Sequence, residues 1–251
     1  MTPITLTNKN VKTMHNEVNE YAMSHGLETF RPRAVLFDMD GVLFDSMPNH
    51  ARSWHESMAT FGLDMAPEEA YTYEGMRGVE TIKLLARQQW GREITDEEAQ
   101  RMYDAKSDMF RHCPKATKMP GVEQLMHKIK AMGMKIAIVT GSGQRSLLDK
   151  LEEEFHGLVS KELIVTSFDV EHGKPSPEPY LRGLEMAEIQ PTEGIVVENA
   201  PLGVRSAVAA GIFTIAVNTG PLPDKALASE GANLVFKNMP ALCDAWETLF
   251  K

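Results

Sequence analysis

A chain of 251 residues, 43% hydrophobic and 24% charged, has the composition of an ordinary globular protein able to bury a sizeable core. A formal net charge of −9 argues against a nucleic-acid partner, which needs clustered lysine and arginine, yet an anionic substrate stays open because a metal or one lysine can reverse the field in a pocket. Cys113 and Cys243 lack metal-ligand spacing, no apolar run approaches about 18 residues, and the N-terminus has no signal-like apolar region; the expectation is a cytoplasmic monomer without a membrane partner.

Residues 1–10 read as disordered. Beyond them Val11, Met14, Val18 and Tyr21 recur at helical spacing and Gly26 supplies a stop, so 1–29 is expected to be an extension with one docked helix and no chemistry. RAVLF (33–37) reads as a strand buried on both sides, with Asp38, Asp40 and Asp45 crowded after it. Between 48 and 112 come helical stretches: NHARSWHESMATFG, VETIKLLARQQWG and TDEEAQRMYDAKSDMF, the last opened by Thr95 with acids in its first turn. From Pro120 helices alternate with short apolar strands: KIAIVT, LIVTSF, GIVVEN, FTIAVN and ANLVF, with PALCDAWETLF closing the chain. Repeated βα units with apolar strands predict an α/β fold, a Rossmann-like parallel sheet with helices on both faces. The helical block is too long for a connection. The expected organisation is a core of 30–45 and 116–251 with an inserted helical cap at 46–115.

In such sheets ligands bind beyond the carboxyl ends of the strands. There stand Asp38 and Asp40, then Thr140, Gly141 and Ser142, then Glu198 and Asn199, with Lys174 in the loop HGKPSPEP. Hard oxygen donors suit Mg²⁺ and a phosphate. Thr140 and Ser142, with their glycines, offer an anion site at a helix start, and Lys174 a charge for a transferring phosphoryl group. One aspartate can attack phosphorus to form an aspartyl-phosphate, and a second two residues on can move the proton. Taken singly, these residues have plainer uses. Aspartates after a strand form turns, Asp45 and Ser46 suit a helix cap or hinge as well as they suit substrate contact, Ser142 can cap the next helix, and Gly141 and Gly143 can serve a tight turn.

Together, DMDGVLFDS, VTGS, GKPSPEP and VVENAPLGV resemble the four motifs of the haloacid dehalogenase-like superfamily, in order and across nearly the whole chain from residue 33. The insert resembles that superfamily's C1 cap, nearest the β-phosphoglucomutase-like group. The resemblance implies Asp38 as nucleophile and Asp40 as general acid/base, with the Asp40 backbone carbonyl also on Mg²⁺. It further implies Thr140 and Lys174 on the transferring phosphate, and Glu198 and Asn199 in the metal motif. His50 and Trp54 match a His and a Trp of sugar phosphomutases; Trp54 fits cap core, and His50 either senses cap closure or is structural.

Departures from the mutase pattern are informative. Glu74 and Gly78 stand where those enzymes carry the lysine and arginine that hold a second phosphate, and Gly143 stands where another lysine is expected. Arg77, next to the expected arginine position, is a partial replacement at best. Asn199 occupies a position normally held by aspartate, so the core lacks one carboxylate while the cap gains one. The pair Glu74/Asn199 resembles the inorganic pyrophosphatase branch of the group, and Glu74 is expected to reach across a closed cap to complete the Mg²⁺ shell. The implied activity is hydrolysis of pyrophosphate or another small phosphate compound. The alternatives are a β-phosphoglucomutase and a binding protein that has lost catalysis.

Overall fold

The computed structural model describes residues 8–142 and 151–250. Expectations for 1–7, for Gly143 and for the start of the helix after VTGS therefore lie outside the described residues. Six strands form one sheet: β1 (Ala34–Phe37), β2 (Lys135–Val139), β3 (Ile164–Val165), β4 (Gly194–Glu198), β5 (Phe213–Val217) and β6 (Leu234–Phe236). They are parallel throughout, in the order β3-β2-β1-β4-β5-β6. This is the doubly wound arrangement, whose direction of winding reverses between β1 and β4 and opens a crevice there.

Alternation along the strands explains why they are apolar at nearly every position, Lys135, Thr214 and Glu198 being the exceptions. Val35 and Phe37 enter a cluster with Leu125, Ile129, Phe213 and Trp246, whereas Ala34 and Leu36 enter the opposite one with Tyr180, Leu184 and Ala207. The covering helices are α1 (Asn8–Ser24), α6 (Val122–Ala131), α7 (Glu178–Ala187), α8 (Pro201–Ala209), α9 (Asp224–Ala228) and α10 (Met239–Phe250). Helix α1 docks as its spacing predicts: Met14, Val18 and Tyr21 are buried, and Gly26 follows at φ +67°.

Between β1 and α6 the chain forms α2 (Met47–Thr60), α3 (Glu69–Thr72), α4 (Gly78–Trp90) and α5 (Asp96–Arg111). These helices bury a cluster of their own, including Trp54, Met58, Leu85 and Met102. Thr95 caps α5 by accepting from Glu98 N–H at 3.1 Å. The short α3 and α9 are not predicted, since one turn of helix cannot display a periodic stripe. The two strands of chain entering and leaving the helical block run side by side, with Asp45 N–H on Thr117 O at 2.9 Å and Met119 N–H on Leu43 O at 2.8 Å. Among the described residues no helix is long and apolar enough to cross a membrane.

Candidate active site

Strand register assembles the site. Phe37 pairs with both Ile138 and Val197, so Asp38 emerges level with the ends of β2 and β4, and its N–H bonds Val197 O at 3.0 Å. Thr140 is buried beside it, its Oγ1 accepting from Ser142 N–H at 3.1 Å. Lys174, only 1% exposed, uses all three ammonium donors: Asp38 Oδ1 at 2.5 Å, Glu198 Oε1 at 2.7 Å and Val139 O at 3.2 Å. Burial alone would lower the lysine pKa, but Asp38 and Glu198 outweigh it and hold the ammonium charged. Burial pushes Asp38 up to about 8; Lys174 opposes this, while Glu198 and Asp40 add to it. So crowded a set of acids favours a cation among them.

Glu198 differs from its expected place in the metal shell. Its Oε1 accepts from Lys174 and from Tyr180 OH at 2.9 Å, and its Oε2 from the N–H groups of Asn199 at 2.8 Å and Ala200 at 3.0 Å. With two donors on each oxygen the carboxylate is saturated, which makes it the counter-ion of Lys174.

The helical block contributes Glu74, from the turn between α3 and α4. Asn199 Nδ2 donates to Glu74 Oε2 at 3.0 Å across the crevice. Next to it Gly75 has φ +86°, and a Cβ there would lie 2.9 Å from Lys174 Cδ, so only glycine lets the loop come this close. Among the described residues Asp38 Oδ2, Glu74 Oε1 and Asn199 Oδ1 are buried without a hydrogen-bond partner. Three unsatisfied acceptor oxygens on neighbouring side chains are costly unless a cation meets them. Two carboxylates and an amide are hard oxygen donors that fit Mg²⁺. No three His, Cys, Asp or Glu side chains form a metal-binding group among the described residues, so this donor set depends on the amide of Asn199.

Asp40 lies beside this cradle and accepts from Ser46 Oγ at 2.5 Å, with His50 Nε2 at 3.3 Å. Ser46 therefore does not cap α2, which has no side-chain cap bond. His50 Nδ1 meets Lys106 Nζ at 2.7 Å and its ring stacks on Phe110. Lys106, absent from the sequence reading, is buried over Trp54 and Phe110. A charged residue in line with buried Ala99 and Met102 on α5 was the available signal. Arg77 does not line the cavity. It is exposed, and its Nη1 donates to Glu171 O at 2.9 Å across the seam. Gly141 and Ser142 line the cavity, which measures about 390 Å³ and also meets Asp40, Trp54, Tyr103 and Phe110.

Comparison with known proteins gives the family. The family model described as haloacid dehalogenase-like hydrolase matches residues 35–217. The chain belongs to that family. This hydrolase is 35% identical to hexitol phosphatase A of Escherichia coli over 75% of its own length and 84% of the relative's. It is 29% identical to a phosphorylated carbohydrates phosphatase of Thermotoga maritima, covering 81% and 94%. A solved structure from Bacteroides vulgatus, provisionally named a β-phosphoglucomutase, superposes with a TM-score of 0.91 at 51% identity, over 95% of the hydrolase and 97% of that chain. These neighbours place the hydrolase in the β-phosphoglucomutase-like group.

Proposed function

We propose that this hydrolase is a Mg²⁺-dependent phosphohydrolase that forms an aspartyl-phosphate on Asp38, with inorganic pyrophosphate as its substrate. The observation that carries the substrate choice is the contact of Glu74 with Asn199, beside three buried oxygens that lack donors. Where a mutase needs a cation for a second phosphate, a carboxylate closes the crevice, and the second phosphate of a sugar bisphosphate would meet that negative charge. The helical segment 46–115 acts as the cap over a core of 30–45 and 116–251, and its closure brings Glu74 into place.

Asp38, Asn199 and Glu74 would hold Mg²⁺, which supplies positive charge against the phosphate oxygens. A carboxylate oxygen of Asp38 attacks phosphorus, the bridging P–O bond breaks, and its electron pair leaves with the second phosphate. Water then attacks the phosphorus of the aspartyl-phosphate, the P–O bond to Asp38 breaks, and Asp40 takes the water proton. Lys174, on Asp38, offsets the charge of the transferring group, with Thr140 and Ser142 beside it.

The cavity of about 390 Å³ with aromatic walls favours a second reading, a sugar-phosphate phosphatase, in keeping with the names of the curated relatives. Phosphate release from pyrophosphate and from a panel of sugar phosphates, with and without Mg²⁺, separates the two. Pyrophosphate is expected to be the preferred substrate, and Glu74→Ala is expected to lower its turnover by at least about 100-fold. Near-wild-type activity of that variant would sink the pyrophosphate reading. Formation of glucose 6-phosphate from β-glucose 1-phosphate would restore the mutase.

A further inference from the structure

One fully buried group touches the reacting cluster without a part in the steps above. Tyr180 on α7 is 0% exposed, its hydroxyl donates to Glu198 Oε1 at 2.9 Å, and its ring centroid lies 4.9 Å from the Lys174 ammonium. We propose that Tyr180 is a positioning residue for phosphoryl transfer: it fixes the Glu198–Lys174 pair so that the ammonium faces Asp38 and the transferring phosphate.

The geometry assigns separate tasks to the two parts of the side chain. Lys174 Nζ is shared between two carboxylates, Asp38 and Glu198. Whatever satisfies Glu198 weakens its hold on the ammonium and leaves more of that charge for Asp38 and its phosphate. Three donors other than the lysine satisfy Glu198: the two backbone N–H groups on Oε2, and the phenol on the same oxygen that Lys174 uses. Of these only the phenol competes directly with the ammonium. Burial, and after it the charge of Glu198, keep the phenol protonated, so it donates throughout the working pH range. The ring, beneath the ammonium, stops it from sinking into the core and attracts it through its π face. Glu198 already packs close against α8, in the space left by Gly203, where a Cβ would lie 1.7 Å from its Oε1. The loop bearing Lys174 is tied to the same helix by Ser206 Oγ on Ser176 O at 2.5 Å.

This inference rests on the reading of the site as one for phosphoryl transfer but not on the choice of pyrophosphate. The test compares the full-length wild type with Tyr180→Phe, which keeps the ring and removes the donor. With Mg²⁺ present, kcat on the best wild-type substrate is expected to fall about tenfold while KM stays within about twofold, because the loss falls on a charge needed most in the transition state. Orthovanadate, which mimics the five-coordinate phosphoryl group whatever the leaving group, is expected to inhibit the variant about tenfold less well, with phosphate inhibition unchanged. Tyr180→Leu removes the ring as well and is expected to lower kcat further wherever it folds. A Tyr180→Phe enzyme with wild-type kcat and vanadate affinity overturns the proposal, as does a fall in melting temperature with both values unchanged. If the wild type ignores pyrophosphate, the substrate reading fails, and the vanadate comparison still decides the role of Tyr180.

Discussion

Lys106 carries only donors, so its 2.7 Å contact makes His50 Nδ1 the acceptor. Burial, then the charge of Lys106, lower the histidine pKa, so the ring is neutral with its proton on Nε2, facing Asp40 Oδ1. Burial alone would raise Asp40, but His50 and Ser46 outweigh it and keep the carboxylate ionised, as a base for water requires. Burial pushes Lys106 itself down to about 8 from 10.5. Above pH 10.5 neither state holds its proton. Between there and pH 8 the unfolded chain does and the native protein does not, so the stability contributed at high pH is lost as pH falls through the folded pKa. In urea unfolding at a series of pH values, the stability difference between wild type and Lys106→Met is expected to move about 3 kcal/mol toward wild type from pH 7.5 to 10.5. A flat difference would show that Lys106 does not titrate there. The same variant leaves Nδ1 without its donor and is expected to lower kcat about tenfold.

At the scale of elements, legibility followed covalent proximity. The six strands were readable because strands buried on both faces are apolar at nearly every position, and Asp38, Thr140, Glu198 and Asn199 because each ends or directly follows one of them. Lys174 was marked by the loop around it. What escaped were side chains that meet through tertiary packing. Lys106 reaches His50 from another helix 56 residues away, Tyr180 looks like any aromatic on an apolar helix face, and the orientation of Arg77 depends on the seam. Glu198 was placed in the right cluster with the wrong neighbours, because a motif names a residue but not the donors around it. Helix α8 gives a test of that packing. Alanine favours a helix over glycine by about 1 kcal/mol, so Gly203→Ala would stabilise an open site. Here the new methyl would collide with Glu198, and the variant is expected to lose about 3 kcal/mol in urea unfolding and most of its activity. A stabilised variant would mean that Glu198 can move aside.

Across the whole molecule, the reacting groups and the N-terminal helix sit at opposite ends of the sheet. The site lies beyond the carboxyl ends of the strands, whereas Tyr21 OH of α1 bonds Gly211 O at 2.8 Å, just before β5 begins. Met14, Val18, Tyr21 and Ala22 join Phe30, Phe213 and Trp246 in one cluster, and Tyr21 meets Phe213 edge-on with ring centroids 5.2 Å apart. Helix α1 thus completes one face of the core, and none of its described side chains lines the crevice. Each large side chain buried there contributes about 2 kcal/mol, so removing residues 1–26 is expected to lower stability by about 5 kcal/mol through loss of those contacts and exposure of the phenylalanines. Steady-state kinetics well below the melting temperature are expected to show kcat and KM within about twofold of the full chain, since none of the described side chains of α1 lines the cavity. Tyr21→Ala, which keeps the helix, is expected to give a smaller loss in the same direction, about 3 kcal/mol. An unchanged melting temperature in both variants would show that α1 lies on the core without stabilising it. A folded truncation with strongly reduced kcat would show coupling through the sheet that no contact of α1 accounts for.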